Sequence, residues 1–272
     1  MALIHHVVTG QGAPPIVFVH GFGCALSDWD AQVAHFSPLH QTITVDLRGH
    51  GKSSAAAADC SIERYGADVA EVMRALRLPP AMLVGHSLGC RVVIETALQS
   101  PQHSAAVILV DGSQFAPAMA DVLRQRLADP DGLATILTEM FTDMFTASSE
   151  PSVAAFARDR ALRLPQPIGE RMLTDLQRYD VTRLASSLGI LRVPVMALQT
   201  TYSNENRQRQ SLKAGQTTPY LDMLRSSVAK ARIEIIPETG HFPQLDEAQQ
   251  TNRLIESFIA HGVGISAHPG PV

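Results

Sequence analysis

The chain has 272 residues, of which 45% are hydrophobic and 18% charged, and its formal net charge is −4. This length can bury one sizeable core, and the composition is typical of a globular protein rather than a disordered one. Scattered basic residues, an odd set of three cysteines and the lack of any apolar run of roughly 20 residues predict a cytoplasmic protein that binds neither nucleic acid nor membrane.

The first part of the chain alternates short apolar runs with segments of helical period. Buried strands are predicted in PPIVFVHGFG and QTITVDLRGHGKSS, and each runs into a glycine-rich turn. A helix follows in SIERYGADVAEVMRAL, then a strand at 81–84, a helix in RVVIETALQS and a strand in SAAVILVDGS. This order predicts an α/β fold with a mostly parallel, doubly wound sheet covered by helices.

The strand signal disappears between residues 113 and 182. Met, Leu, Ala and charged residues dominate there, as in MADVLRQRLADPDGLATILTEMFTDMF, which indicates an inserted helical cap. Strands resume in LRVPVMALQTTY and ARIEIIP, and an amphipathic helix is expected in EAQQTNRLIESFIAHG. We therefore expect a core formed by residues 1–112 and 183–272 and a cap formed by residues 113–182.

Ser87 lies in GHSLG, at the junction between a predicted strand and a predicted helix. A serine in G-x-S-x-G takes a strained turn that lifts its hydroxyl out of the sheet, and the flanking glycines make room for that turn. The alternative, in which Ser87 only caps the helix, is less favoured by the strand-turn-helix context that the motif requires. Ser87 is the candidate nucleophile.

The candidate general base is His241, in IPETGHFPQLD, directly after the last predicted strand. In a parallel sheet this places it at the same carboxyl edge as Ser87. Other histidines lie in no motif and are expected at the surface or in packing. They are His5, His6, His35, His40, His103, His261 and His268.

With these motifs in hand, the chain resembles the α/β-hydrolase superfamily over nearly its whole length. The resemblance is carried by HGFG at 20–23, DLRGHGKS at 46–53, GHSLG at 85–89 and GHF at 240–242. It implies a serine hydrolase whose oxyanion hole uses the backbone N–H groups of Phe22 and Leu88.

The resemblance leaves the third member of the triad open. Family members commonly carry an aspartate after the strand that corresponds to VPVMALQ, but this sequence continues TTYSNENRQR and places Ser203 there. Asp111, which ends the strand AAVILVD, is the first candidate, and Glu205 is its rival. Asp222 and Asp180 are weaker candidates.

Several residues near these motifs are expected to serve structure. Asp46 and Arg48 are interpreted as parts of a turn that braces the site, while Trp29 and Phe242 are interpreted as core or pocket wall. Apolar side chains of the predicted cap indicate a partly apolar substrate, although such a stripe also suits packing. They are Met119, Met140, Phe141, Met144 and Phe145.

The predicted reaction is hydrolysis of a carboxylic ester, lactone or related acyl bond in a small molecule, through an acyl-enzyme on Ser87. The same fold implies alternatives: a cofactor-free dioxygenase of a quinolone-like heteroaromatic using His241 and Asp111, a carbon–carbon bond hydrolase, or a ligand receptor without catalysis. No metal-binding or dinucleotide-binding motif is present, so we expect neither a metal nor a cofactor. The chain is expected to act as a monomer or homodimer.

Overall fold

A computed structural model describes residues 4–204 and 208–262 of the chain. Its strands in chain order are β1 (His6–Thr9), β2 (Ile16–Val19), β3 (Thr42–Val45), β4 (Ala81–His86), β5 (Ser104–Val110), β6 (Val195–Gln199), β7 (Thr201–Ser203), β8 (Arg209–Ser211) and β9 (Arg232–Ile235). The main sheet has the order β1-β3-β2-β4-β5-β6-β9. Strand β1 runs antiparallel to β3, and the other pairs are parallel. The predicted mostly parallel α/β sheet is confirmed.

Helices cover both faces of this sheet. In chain order they are α1 (Asp30–Phe36), α2 (Ile62–Ala75), α3 (Leu88–Gln99), α4 (Met119–Leu127), α5 (Gly132–Asp143), α6 (Pro151–Ala161), α7 (Gln166–Tyr179), α8 (Ala185–Ile190), α9 (Pro219–Ser227), α10 (Pro243–Asp246) and α11 (Ala248–Gly262). Within the described ranges, no helix combines the length and the apolar character that crossing a bilayer requires.

Alternation along the central strands divides the core between the two faces. On β2, Val17 and Val19 belong to a cluster that includes α2, α3 and the inserted helices. Ile16 and Phe18 belong to the opposite cluster, with side chains of α1 and α11. All four are fully buried, as a strand covered on both faces requires.

The elements that were not predicted include α1, α9, β1 and the ribbon of β7 and β8, and the predicted strand in LRVPVMALQTTY ran through β6 into β7 without the break after Gln199. Strand β1 is half-exposed at the edge of the sheet, and the pair β7–β8 forms a separate antiparallel ribbon directly after β6. The ribbon segments TYS and RQS are polar and only three residues long, so they carry no apolar alternation that sequence reasoning could detect.

A helical insertion separates β5 from β6. It contains α4 to α7, and a π-helical turn (Asp180–Leu184) continues without a break into α8. The helical run therefore extends to Ile190, beyond residue 182, and the limits of the cap stay a prediction. Gly23 in the loop after β2 approaches Phe141 and Ala161, and Gly49 in the turn after β3 approaches Ile168, so the insertion lies above the carboxyl edge of the sheet.

Candidate active site

Ser87 occupies a sharp turn between β4 and α3. Its backbone has φ 54° and ψ −113°, a left-handed region that L-residues rarely adopt, and its N–H donates to the Val110 carbonyl at 3.0 Å. A methyl group on Gly85 would collide with the carbonyl of Gly89, and one on Gly89 would collide with the carbonyl of Val19. Both glycines are therefore required for the turn to sit this close to its neighbours.

Two backbone N–H groups beside Ser87 are available to an oxyanion. Leu88 is the first residue of α3, so its N–H has no partner within the helix. Phe22 lies in the loop after β2, and in the described part of the chain its N–H has no acceptor. A methyl group on Gly21 would lie 3.1 Å from the Ser87 Cβ, so this loop passes close to the serine.

Two buried histidines hold the Phe22 loop. His20 Nε2 accepts from the Leu47 N–H at 3.0 Å, and His50 Nε2 accepts from the Gly23 N–H at 3.1 Å. Only a neutral imidazole can accept at Nε2 while its other nitrogen carries the proton. Burial lowers the pKa of His20 to about 4 and that of His50 to about 3, which keeps both rings neutral.

Asp111 and His241 form a buried pair. Asp111 follows β5 with φ 42°, and its Oδ2 lies 2.6 Å from His241 Nδ1. Its Oδ1 accepts the N–H groups of Thr200 and Thr201, both at 2.8 Å, and Oδ2 accepts the Thr201 hydroxyl at 2.5 Å. Burial alone would raise the pKa of Asp111, but its bonds to His241 and Thr201 and the nearby Arg209 lower it overall. The carboxyl is therefore ionised and fixed in orientation.

His241 is only 1% exposed, and its Nε2 has no hydrogen-bond partner in the described ranges. Its carbonyl oxygen accepts from His86 Nε2 at 2.7 Å, and the two rings pack with centroids 4.7 Å apart. Because His86 directly precedes Ser87, this bond ties the His241 segment to the turn. Burial and the Arg209 guanidinium lower the pKa of His241 to about 4.

Of the other acid candidates, the two that the structure describes, Asp222 and Asp180, do not contact His241. Glu205 lies outside the described residues, and Ser203, where the family's aspartate was expected, ends β7. Asp222 is exposed and pairs with Arg225, whereas Asp180 is buried and pairs with Arg91. Of the described candidates, Asp111 is the one in contact with His241.

Aromatic side chains of the insertion cover the His241 segment. Phe145 stacks on Phe242 with centroids 4.8 Å apart, and Phe141 packs against the same ring at 6.2 Å. The His241 N–H donates to the Met144 carbonyl at 2.7 Å, so the insertion is bonded to this segment as well as packed on it. Of the remaining predicted cap residues, Met119 and Met140 are partly buried against the core.

Residues interpreted as structural lie in the scaffold. Trp29 is fully buried and packs on Phe18 with ring centroids 5.0 Å apart. Asp46 accepts the backbone N–H groups of Leu26 and Lys52, at 3.1 and 3.0 Å. It therefore joins the turn after β3 to the loop after β2.

Arg48 forms a two-bond ion pair with Asp68 on α2, with contacts of 2.9 and 2.6 Å. That pair fixes the turn after β3 to the helix that follows it. No group of three His, Cys, Asp or Glu suited to a metal occurs in the described part of the chain.

Two arginines near the site were missed by sequence reasoning. Arg91, on α3, pairs with Asp180 at 2.7 Å with both side chains buried, and it donates to the Ser87 carbonyl at 2.9 Å. Arg209, on β8, lies 3.1 Å from His241 Nδ1. Arg91 could have been found by its spacing of four residues after Ser87 on a helix, whereas nothing in the sequence relates Arg209 to His241.

A protein-family model described as "Alpha/beta hydrolase family" matches residues 16–254. The dihydrolipoyllysine-residue acetyltransferase component of an acetoin cleaving system from Pseudomonas putida is 24% identical over 92% of this chain, and the match spans only 64% of that relative. A pimeloyl-[acyl-carrier protein] methyl ester esterase from Nitrosomonas europaea is 28% identical over 92% of this chain and 97% of its own length.

Among solved structures, the enol-lactonase from Burkholderia xenovorans LB400 has a similar fold, with a TM-score of 0.79 at 21% identity over 95% of this chain and 96% of that one. The family match covers the turn at Ser87, the end of β5 and the His241 segment. The chain therefore belongs to the alpha/beta hydrolase family.

Proposed function

We propose that this protein is a serine hydrolase that cleaves a carboxylic ester, lactone or related acyl bond. The observation that carries the proposal is the bond of 2.6 Å between His241 Nδ1 and Asp111 Oδ2, while the buried Nε2 has no hydrogen-bond partner among the residues that the structure describes. That nitrogen can accept the proton of the Ser87 hydroxyl. The strained turn holds Ser87 directly after His86, whose ring is bonded to the His241 carbonyl.

In the first half of the reaction, Ser87 Oγ attacks the substrate carbonyl carbon while His241 Nε2 accepts the hydroxyl proton. The negative charge that develops on the carbonyl oxygen is stabilised by the N–H groups of Phe22 and Leu88, and the dipole of α3 favours it further. Asp111 stabilises the imidazolium through Nδ1. The tetrahedral intermediate then collapses: its bond to the leaving oxygen breaks, and His241 protonates that oxygen.

In the second half, water hydrolyses the acyl-enzyme. His241 Nε2, neutral again, accepts a proton from water as the water oxygen bonds to the acyl carbon. Cleavage of the bond to Ser87 Oγ then returns the proton to the serine and releases the carboxylic acid. Asp111 keeps the Nδ1 proton of neutral His241 in place through both halves, because bonds from Thr200 and Thr201 fix its carboxylate.

Aromatic side chains beside His241 support a partly apolar substrate. Phe141, Phe145 and Phe242 form an aromatic cluster that adjoins His241, and the Phe141 ring approaches Gly23 in the loop of Phe22. We propose that this cluster contacts the apolar part of a small acyl substrate. The proposed cap comprises residues 113–182. The methyl ester esterase and the enol-lactonase described above carry the two bond types in their names, which supports an ester or lactone.

The test combines turnover with covalent labelling. A short-chain p-nitrophenyl ester is assayed with and without a fluorophosphonate probe, and the labelled peptide is identified by mass spectrometry. We expect turnover to be lost in step with labelling at Ser87, and Ser87→Ala to abolish both without changing the circular dichroism spectrum. Ser186→Ala, at an exposed serine on α8, is the matched control and should retain both.

Labelling at another residue, or ester turnover that survives Ser87→Ala, would overturn the serine mechanism. Oxygen uptake with a hydroxyquinolone, retained in Ser87→Ala and lost in His241→Ala, would instead indicate the dioxygenase chemistry that the pair of His241 and Asp111 also permits. Binding of ligands without turnover or labelling would indicate a receptor.

A further inference from the structure

Arg209 is a cation placed against the pair of His241 and Asp111. It lies in the ribbon strand β8, and its side chain is 14% exposed. Its Nη1 lies 2.6 Å from Thr201 Oγ1, 3.1 Å from His241 Nδ1 and 3.6 Å from Asp111 Oδ2. A charged side chain that the proposed reaction does not require therefore lies beside the proposed triad of Ser87, His241 and Asp111.

The hydrogen-bonding capacity of His241 Nδ1 decides what this contact means. A ring nitrogen carries either one proton or one lone pair, so Nδ1 cannot donate to Asp111 and also accept from Arg209. The bond to Asp111 is the shorter, at 2.6 Å against 3.1 Å. Arg209 therefore donates to the Thr201 hydroxyl, which in turn donates to Asp111 Oδ2 at 2.5 Å. Towards His241, the guanidinium acts as a nearby positive charge.

Among the described residues, the charges that act on His241 are those of Asp111, Arg209 and Arg91. Asp111 after β5 attracts a proton to the ring, whereas Arg209 on β8 and, more weakly, Arg91 on α3 repel it. His86 on β4 also packs on the ring, but burial lowers the pKa of His86 to about 3 and keeps it neutral. The charge of Asp143, on α5, acts on Arg209 as well. The single negative charge of Asp111 is therefore shared between two cations whenever His241 is protonated.

We propose that Arg209 is a positioning residue of the triad: through Thr201 its guanidinium fixes Asp111, and its charge keeps the His241 imidazole neutral in mildly acidic solution. The proposal rests on the proposed function, because it concerns the same base. Its consequence is a hydrolase that retains a competent base below the pH at which an unperturbed histidine, with a pKa of about 6.5, becomes protonated.

The test is the pH profile of kcat/KM for an uncharged ester, measured between about pH 4 and about pH 9 in Arg209→Gln and Arg209→Lys. Loss of the cation should move the acidic limb upward by at least about one pH unit, because a like charge within a few ångströms shifts a pKa by that amount or more. In Arg209→Lys, which keeps a positive charge, the acidic limb should stay close to its wild-type position. Arg225→Gln, which removes an exposed arginine on α9, is the matched control and should leave the limb in place.

An unchanged acidic limb in Arg209→Gln would overturn the proposal, as would an equal shift in Arg225→Gln. Should Arg209→Gln fail to fold, ¹⁵N NMR of the wild-type ring decides, with the His241 signals assigned by their loss in His241→Gln. We expect a neutral ring with the proton on Nδ1 at about pH 5.5, and protonation at the ordinary value would overturn the inference. This NMR measurement needs no turnover, so it is independent of labelling at Ser87, on which the proposed function stands or falls.

Discussion

Replacing Asp111 by Asn tests the proposed triad most directly, because the contacts of this carboxyl fix how an amide would sit. Oδ1 accepts two backbone N–H groups, from Thr200 and Thr201, so the amide oxygen must take this position. The amide NH₂ then takes the position of Oδ2 and donates to His241 Nδ1. That bond forces the proton of His241 onto Nε2, where it blocks acceptance of the Ser87 proton.

The expected loss in kcat is about 10⁴-fold, which corresponds to about 5.5 kcal/mol of transition-state stabilisation. Folding should weaken as well, by about 3 kcal/mol, because the substitution leaves the largely buried Arg209 without its carboxylate. The two effects are measured separately, by steady-state hydrolysis of a p-nitrophenyl ester and by urea unfolding.

The matched control is Asp68→Asn, at a buried carboxyl that pairs with Arg48 away from His241. It should lose stability but keep kcat within about tenfold. Asp111→Asn that retains turnover within about tenfold of wild type would refute the tautomer argument. If Glu205→Gln instead cripples the enzyme, the acid belongs to the later loop.

Three further predictions concern the scaffold. Gly89→Ala should destabilise the fold by at least about 2 kcal/mol because its methyl group meets the Val19 carbonyl, whereas Gly189→Ala, with nothing within 4 Å, should be neutral or stabilising by up to about 1 kcal/mol in thermal unfolding. Arg91→Met should lower the free energy of unfolding in urea by about 3 to 5 kcal/mol, because it leaves the buried Asp180 without its ion-pair partner. A decrease as small as that caused by Arg124→Met, at an exposed ion pair, would contradict this prediction. Four buried histidines have lowered pKa values, so the unfolded chain binds protons before the folded one as the pH falls. The free energy of unfolding should therefore decrease from about pH 6.5 to about pH 4, by up to about 1.4 kcal/mol per pH unit for each histidine. They are His20, His50, His86 and His241. A free energy of unfolding that stays level over this range would show that these rings take up protons at the same pH in the folded and the unfolded chain.

The turn at Ser87 could be predicted from local sequence, because two glycines flank the serine within GHSLG. The collision at Gly85 involves Gly89 of the same turn, whereas the collision at Gly89 involves the Val19 carbonyl on β2, which only the folded sheet brings there. The parallel sheet could also be predicted, because strands buried on both faces appear as continuous apolar runs. The ribbon β7–β8 could not, since its strands are short and polar and owe their pairing to their position after β6.

The choice of Asp111 as the partner of His241, and the presence of Arg209 beside them, were decided by the tertiary structure. Asp111 and His241 are 130 residues apart, and their contact depends on where β5 and the segment after β9 end in the folded sheet. The sequence by itself was enough to predict a candidate nucleophile turn, a candidate base after the last strand and four candidate acids, of which Asp111 and Glu205 came first. Which acid reaches the base is a matter of a few ångströms between distant segments, and no local pattern encodes such a distance.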